Sequence, residues 1–153
     1  MERLHFEILI DAQPETVYNA ITASDHFEQW TSVFSPTSRY EGNWEKGSKI
    51  KFLSTNKDGS ISGMVSRIKE NIPNEHISIE HLGFIQNGKE ITEGEEAQAF
   101  KGALENYTLI KKGDLTELQI DSDSFSDYKE YFLKTWPKAL QELKSICESK
   151  NGN

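Results

Sequence analysis

The chain lacks the cysteine pairs that form disulfides in secreted proteins, and it lacks the long apolar segments that span membranes. Of its 153 residues only one, Cys147, is a cysteine, so no disulfide can form within the chain, as is typical of a reducing compartment. No stretch approaches the ~20 consecutive apolar residues of a membrane-spanning helix, and the first residues lack the apolar core of a signal peptide. We therefore expect a cytoplasmic protein without membrane insertion.

Positive charge is also scarce. Lys and Arg together number 17 against 25 Asp and Glu, which gives a formal net charge of −8 at neutral pH. Basic residues form no long run, and an acidic surface repels the phosphates of nucleic acids. From this composition we do not expect the protein to bind nucleic acid.

The chain contains none of the short motifs that identify common catalytic or cofactor sites. A Gly-rich phosphate loop, a serine nucleophile elbow, paired metal-binding cysteines and a His-Glu-x-x-His motif are all missing from the sequence. Asp121, Asp123 and Asp127 lack the turn glycine and the distal glutamate of a calcium loop. We therefore expect no metal, no cofactor and no catalytic residue of a known motif.

Strand periodicity dominates what the chain does contain. Alternating apolar residues predict a first strand at Leu4, Phe6, Ile8 and Ile10. Further strands are expected at 39–44, 49–54, 61–69, 76–84, 103–111 and 115–121, with Asp58-Gly59 as a hairpin turn. The polar, acidic segment 86–98 is interpreted as a long loop with a frayed strand or short helix.

Helices are predicted at both ends of this run of strands. Pro14 suits a first helical turn, and Ser24 is a candidate cap for a second short helix at 25–29. Near the end of the chain, Ser124 is the candidate cap of a long helix in which Pro137 is expected to introduce a bend. One face of that helix is apolar, at Tyr128, Phe132, Trp136, Ala139, Leu140, Leu143, Ile146 and Cys147.

The order of elements predicts an α+β helix-grip fold, in which a curved antiparallel sheet wraps around a long C-terminal helix. Two short helices follow the first strand, and the arrangement commonly leaves an apolar cavity between sheet and helix. We expect a single domain over 1–149 and a short disordered tail over 150–153.

Several short segments, spread over nearly the whole chain, carry a family resemblance. They are Ile10-Asp11-Ala12, Val17-Tyr18-Asn19-Ala20-Ile21, Trp30, Glu41-Gly42-Asn43-Trp44-Glu45-Lys46-Gly47-Ser48, His81-Leu82-Gly83, Gly102-Ala103-Leu104-Glu105-Asn106-Tyr107 and Trp136-Pro137-Lys138-Ala139-Leu140. In order and spacing they resemble the START-like (SRPBCC) helix-grip superfamily, which includes the birch pollen allergen. Within it they resemble the group named after activators of the heat-shock chaperone ATPase. The resemblance implies a helix-grip fold with a ligand cavity, and a chaperone as an alternative partner.

The candidate cavity residues combine aromatic side chains with a few polar ones. They are Trp30, Phe52, His81, Glu105, Tyr107, Phe132, Trp136 and Leu140. The aromatic stripe at helical spacing is also what an ordinary packed core requires. His81 is expected to face inward, because the period of two residues in a strand places it on the same face as Ile77 and Ile79. For Glu105, solvent exposure is the favoured interpretation.

The function that these features favour is noncovalent binding of a small hydrophobic or amphipathic, lipid-like ligand. Two alternatives remain open. One is a chaperone-linked interaction module with an exposed patch around Trp44 and the acidic residues 93–96. The other is an enzyme of the cyclase or dehydratase kind, which would need an inward acid–base pair such as His81 with Glu105 or a tyrosine. An enzyme is the less favoured interpretation.

Overall fold

The structure is a computed structural model that describes the backbone of residues 1–151 and the side chains in that range except those of residues 126, 150 and 151. Its strands are β1 (Glu2–Ile10), β2 (Arg39–Gly42), β3 (Lys49–Thr55), β4 (Ile61–Ile72), β5 (His76–Gln86), β6 (Lys89–Ile91), β7 (Leu104–Lys112) and β8 (Leu115–Ser124). Its α-helices are α1 (Pro14–Thr22), α2 (Ser24–Trp30), α3 (Glu95–Phe100) and α4 (Lys129–Asn151), with 3-10 turns at Thr31–Val33 and Ser126–Tyr128.

The strands form one antiparallel sheet in the order β1-β8-β7-β5-β4-β3-β2, and β6 pairs with the far end of β5. The pairing of β4 with β5 shifts register at Val65/Ser66 and again at Ile68/Glu70. Such bulges bend a strand and increase its twist, so they help the sheet to curve. The curved antiparallel sheet and the two short helices after β1 confirm the predicted α+β architecture.

The main hydrophobic core lies where the sheet, α1, α2 and α4 meet. The inner face of α4 contributes Trp136, Ala139, Leu140, Leu143, Ile146 and Cys147 to it. Two contacts hold the C-terminal half of α4 against the end of β1: Asp11 N donates to Glu148 at 2.9 Å, and Lys144 Nζ donates to the carbonyl of Leu9 at 3.2 Å. The apolar face of the long helix therefore packs against the rest of the fold, as predicted.

Both predicted helix caps are wrong. Ser124 is the last residue of β8, and its hydroxyl donates to the carbonyl of Phe125, so a 3-10 turn separates it from the start of α4 at Lys129. Ser24 lies inside α2, where its hydroxyl contacts Glu28 and the cap position belongs to Ala23. Both serines fit the local sequence pattern of a helix cap, but neither is the residue that precedes its helix.

The remaining boundaries follow the sequence patterns closely. The acidic segment 86–98 holds β6 and the start of α3, in agreement with a frayed strand or short helix. Pro137 lies within α4, and the bend expected there stays a prediction. The expected tail over 150–153 lies largely outside the described residues, so the boundary at 149 also stays a prediction. Within residues 1–151, none of the helices is both long and apolar enough to cross a bilayer.

Candidate ligand-binding site

A cavity of about 810 Å³ lies between the sheet, α3 and the beginning of α4. This volume is within the range of about 300–1,000 Å³ found for small-molecule sites. We call it the main cavity; it is lined by Phe52, Ser54, Ser62, Gly63, Met64, His81, Phe84, Ile85, Gln86, Glu96, Ala99, Phe100, Ala103, Glu105, Ser122, Asp123, Ser124, Phe125, Tyr128 and Phe132.

Aromatic rings form much of the apolar wall of the main cavity. Phe100 of α3 lies between Phe84 and Phe125, with ring centroids 5.7 Å and 4.8 Å away. Phe132 approaches from the first turn of α4, and Phe52 lies on β3. These edge and tilted contacts are the arrangements that aromatic rings prefer. The wall therefore offers an apolar ligand several ring faces and edges.

Four neighbouring polar side chains of the sheet form what we call the polar network: Ser66, His81, Glu105 and Tyr107. Of these, His81 and Glu105 line the main cavity. Ser66 Oγ lies 2.7 Å from His81 Nδ1, and His81 Nε2 lies 3.7 Å from Glu105 Oε1. The Tyr107 hydroxyl donates to Glu105 Oε2 at 2.5 Å. The side chains of His81 and Glu105 are 13% and 23% exposed, so both are largely shielded from water.

Strand register brings the polar network together. Ser66 pairs with His81 across β4 and β5, next to the bulge at Val65/Ser66. On the other side of β5, the backbone N–H of His81 donates to Ala103 O at 2.9 Å, which anchors the start of β7 beside it. Glu105 and Tyr107 are two residues apart on β7, and period-two alternation turns both to the same face.

Tyr107 is almost completely buried, at 1% exposure. Its burial raises the pKa of the phenol well above its ordinary value, and the neighbouring Glu105 carboxylate raises it further. Tyr107 therefore stays protonated and keeps donating to Glu105. The other oxygen of Glu105 faces His81 at 3.7 Å, which is longer than a hydrogen bond.

A second, inner cavity of about 240 Å³ adjoins the main one. It is lined by Phe27, Trp30, Thr31, Phe34, Ser38, Tyr107, Tyr131 and Trp136, and it shares Phe52, Glu105 and Phe132 with the main cavity. The rings of Trp30, Tyr107 and Trp136 all contact one another, with centroids 6.1 Å, 6.2 Å and 6.4 Å apart. The shared residues place Glu105 at the junction of the two spaces.

The structure distributes the predicted cavity residues between these spaces. Phe52, His81, Glu105 and Phe132 line the main cavity, while Trp30, Tyr107 and Trp136 line the inner one. Leu140 lines neither: it is 3% exposed and belongs to the main core, one turn beyond Trp136 on the face of α4 that packs against other elements.

The expectation that Glu105 faces solvent is wrong. Its partner Tyr107 is only two residues away, but their hydrogen bond depends on both side chains pointing into a covered face of the sheet. The sequence analysis also missed Ser66, Phe84, Phe100 and Phe125. Phe100 belongs to α3, whose position over the sheet has no signal in local periodicity.

The surface patch expected around Trp44 is not formed by that residue. Trp44 is partly buried and packs against the main core, with its ring 5.4 Å from Tyr40 and 6.2 Å from Phe27. Glu93, Glu95 and Glu96 are exposed. Among the described residues, no group of three or more His, Cys, Asp or Glu side chains is arranged to hold a metal ion.

An antiparallel sheet that grips a long C-terminal helix, with a cavity between them, defines the helix-grip class of α+β proteins. The family model described as activator of Hsp90 ATPase homolog 1-like protein matches residues 11–148, and the chain belongs to this family. Comparison with curated proteins gives no match.

Solved structures share this fold over nearly the full length of the chain. The Aha1 dimer from Colwellia psychrerythraea is 22% identical, with a TM-score of 0.71 and coverage of 97% of both chains. An AHSA1-like protein from Aeromonas hydrophila is 15% identical, with a TM-score of 0.70 and coverage of 98% of this chain and 94% of the other. At these identities the likeness establishes the fold, which fits a ligand-binding or interaction module.

Proposed function

We propose that the protein binds a small amphipathic ligand noncovalently, with the ligand's apolar body in the main cavity and its polar group near His81 and Glu105. The observation that carries this proposal is a cavity of about 810 Å³ with aromatic walls and a polar network on its sheet side. Ligand sites are mostly apolar with a small number of placed polar groups, which is the composition found here.

Desolvation of the ligand would supply the affinity. Removing ~300 Å² of apolar ligand surface from water contributes about 7.5 kcal/mol at ~25 cal/mol per Å². Part of this is offset by the lost freedom of the ligand. The polar network would then fix the orientation of the ligand, because a reversed ligand would lose its hydrogen bond to Glu105 and would place its apolar body against the polar side chains.

Native mass spectrometry tests the proposal. The protein, purified gently from its host and compared with the denatured chain, is expected to carry a reproducible added mass. Replacing Ala99 with Trp fills the main cavity from α3 and should remove that mass. Gln98→Trp, at the neighbouring exposed position outside the cavity lining, is the matched control and should keep it. No added mass after exposure to a host lipid and metabolite extract would refute the proposal.

A second candidate is an enzyme that moves a proton on its ligand, of the cyclase or dehydratase kind. It is favoured by one observation: the imidazole of His81 and the carboxylate of Glu105 line the main cavity, and the phenol of Tyr107 donates to that carboxylate from the buried side. General acid–base catalysis needs such groups within hydrogen-bond reach of a substrate. Once a ligand is identified, recovering it chemically unchanged after prolonged incubation with the protein would reject this candidate.

A chaperone-linked role is supported by the family description alone. Co-purification of a chaperone with the wild-type protein, lost on charge reversal of the exposed Glu93 and Glu95, would favour it.

A further inference from the structure

The main cavity carries negative charge, and we propose that its ligand is a cationic amphiphile: an apolar body that bears a protonated amine, in preference to a fatty acid or another anion. The inference rests on the proposed function and specifies the chemical class of the ligand. It follows from the charged residues that line the cavity, from the position of Glu105 and from the aromatic rings that line the cavity with it.

The charged groups of the cavity are mainly carboxylates. Glu96, Glu105 and Asp123 line it, and no Lys or Arg occurs among its described lining residues. His81 is the lining side chain that can become positive. Arg3 offsets Asp123 from outside through a contact of 3.1 Å, and its own side chain is half exposed. With His81 protonated, the cavity and Arg3 together remain net negative.

Glu105 is the carboxylate best placed to meet a ligand. Tyr107 occupies one of its oxygens and holds the side chain in position from the buried side. The second oxygen lies 3.7 Å from His81 Nε2, beyond hydrogen-bond distance, and Glu105 itself lines the main cavity. An ammonium group can donate to this oxygen, whereas a carboxylate would meet like charge in a largely dehydrated site.

Two phenyl rings accompany Glu105. Phe52 and Phe132 are the other residues that line both cavities, so they border the same junction as Glu105. The faces of aromatic rings attract cations, and more strongly where water is excluded. Aromatic rings give an anion no such attraction at their faces. Carboxylate and rings therefore select for the same charge.

Three matched probes test the inference: decylamine, decanol and decanoate, each titrated below its critical micelle concentration by isothermal calorimetry at neutral pH. Decylamine is expected to bind at least about tenfold more tightly than decanol, and decanoate more weakly than decanol. Glu105→Gln keeps the shape of the side chain and should bring decylamine within about threefold of decanol. Circular dichroism and a urea titration check that the variant is folded.

Because the whole protein is acidic, a control must separate the site from general attraction of cations. Glu80→Gln removes the same charge from the residue before His81, which alternation turns to the opposite face of β5, where Glu80 pairs with Arg67. This variant should keep the preference for decylamine. Equal loss in both variants, or a preference that survives Glu105→Gln, would overturn the inference. If decanol and decylamine bind equally well, the inference about the ligand's charge is wrong, but the proposed ligand binding stands. If none of the three probes binds, the proposed function itself is wrong.

Discussion

Raising the pH above about 10 is expected to destabilise the fold through a single buried phenol, that of Tyr107. In the folded protein its pKa lies well above the ordinary value of 10.0, because the side chain is buried and faces Glu105. In the unfolded chain the phenol titrates at its ordinary value. Above that pH the unfolded state has released a proton that the folded state retains, so the stability supplied by Tyr107 is present below about pH 10 and declines as the pH rises.

The size of this effect follows from the linkage of one proton. The free energy of unfolding should fall by on the order of 1 kcal/mol between about pH 9 and about pH 11 because of Tyr107 alone. Other groups titrate in the same range, so the quantity to measure is the difference between the wild type and Tyr107→Phe. Urea unfolding, followed by tryptophan fluorescence at several pH values, gives that difference directly.

The Tyr107→Phe variant should begin less stable, because it loses a hydrogen bond to a carboxylate, worth about 1.5–3 kcal/mol where the carboxylate is shielded. Its disadvantage should then shrink as the pH rises. Tyr128→Phe, which removes a phenol that is 51% exposed, serves as the control and should follow the wild type throughout. Parallel pH profiles for the wild type and Tyr107→Phe would refute the reasoning, since they would mean that burial does not hold the proton.

Two further predictions concern packing. Trp136→Ala should lower the free energy of unfolding by about 3–5 kcal/mol, because this ring is 4% exposed and packs among other aromatic rings. The control, Leu133→Ala on the exposed side of α4, should change the free energy of unfolding little. The urea midpoints of the two variants give the comparison. Gly63→Ala should cost about 1–3 kcal/mol or more, because a Cβ there would lie 1.9 Å from the carbonyl oxygen of Phe52. Met64→Leu, its volume-conserving neighbour, should cost less than about 1.5 kcal/mol, and equal losses in the two variants would contradict the clash.

The sequence predicted the fold well because the fold depends on patterns that repeat along the chain. Alternating apolar residues located the long strands to within a few residues, and the apolar face of α4 was readable from its three- and four-residue spacing. The start of α4 was misplaced because Ser124 matches a cap only locally. In the structure that residue completes β8, where nine residue pairs with β1 extend the strand to its last position.

The candidate site was less predictable because it depends on register between distant segments. His81 and Glu105 were both recognised as candidates, but their separation of 3.7 Å requires β5 and β7 to be neighbours in one particular alignment. The i to i+2 spacing of Glu105 and Tyr107 was visible in the sequence. The sequence did not show that the sheet face they share is covered. Because of that cover, the Glu105 carboxylate is largely shielded from water and accepts a hydrogen bond from Tyr107.

The polar network is also where the chain departs from the pattern of an ordinary core. Ser66 is fully buried, and His81 and Glu105 are largely shielded, at strand positions whose neighbours on the same face are apolar. Burying such groups costs free energy unless each finds a partner, and here Ser66 and Tyr107 supply partners from the two ends of the network. That arrangement pairs both ends of the network, whereas the Glu105 oxygen that faces His81 lies 3.7 Å from it, beyond hydrogen-bond distance. A core built for stability alone would have apolar side chains at these positions, and the ligand that we propose would account for the polar ones by completing the network.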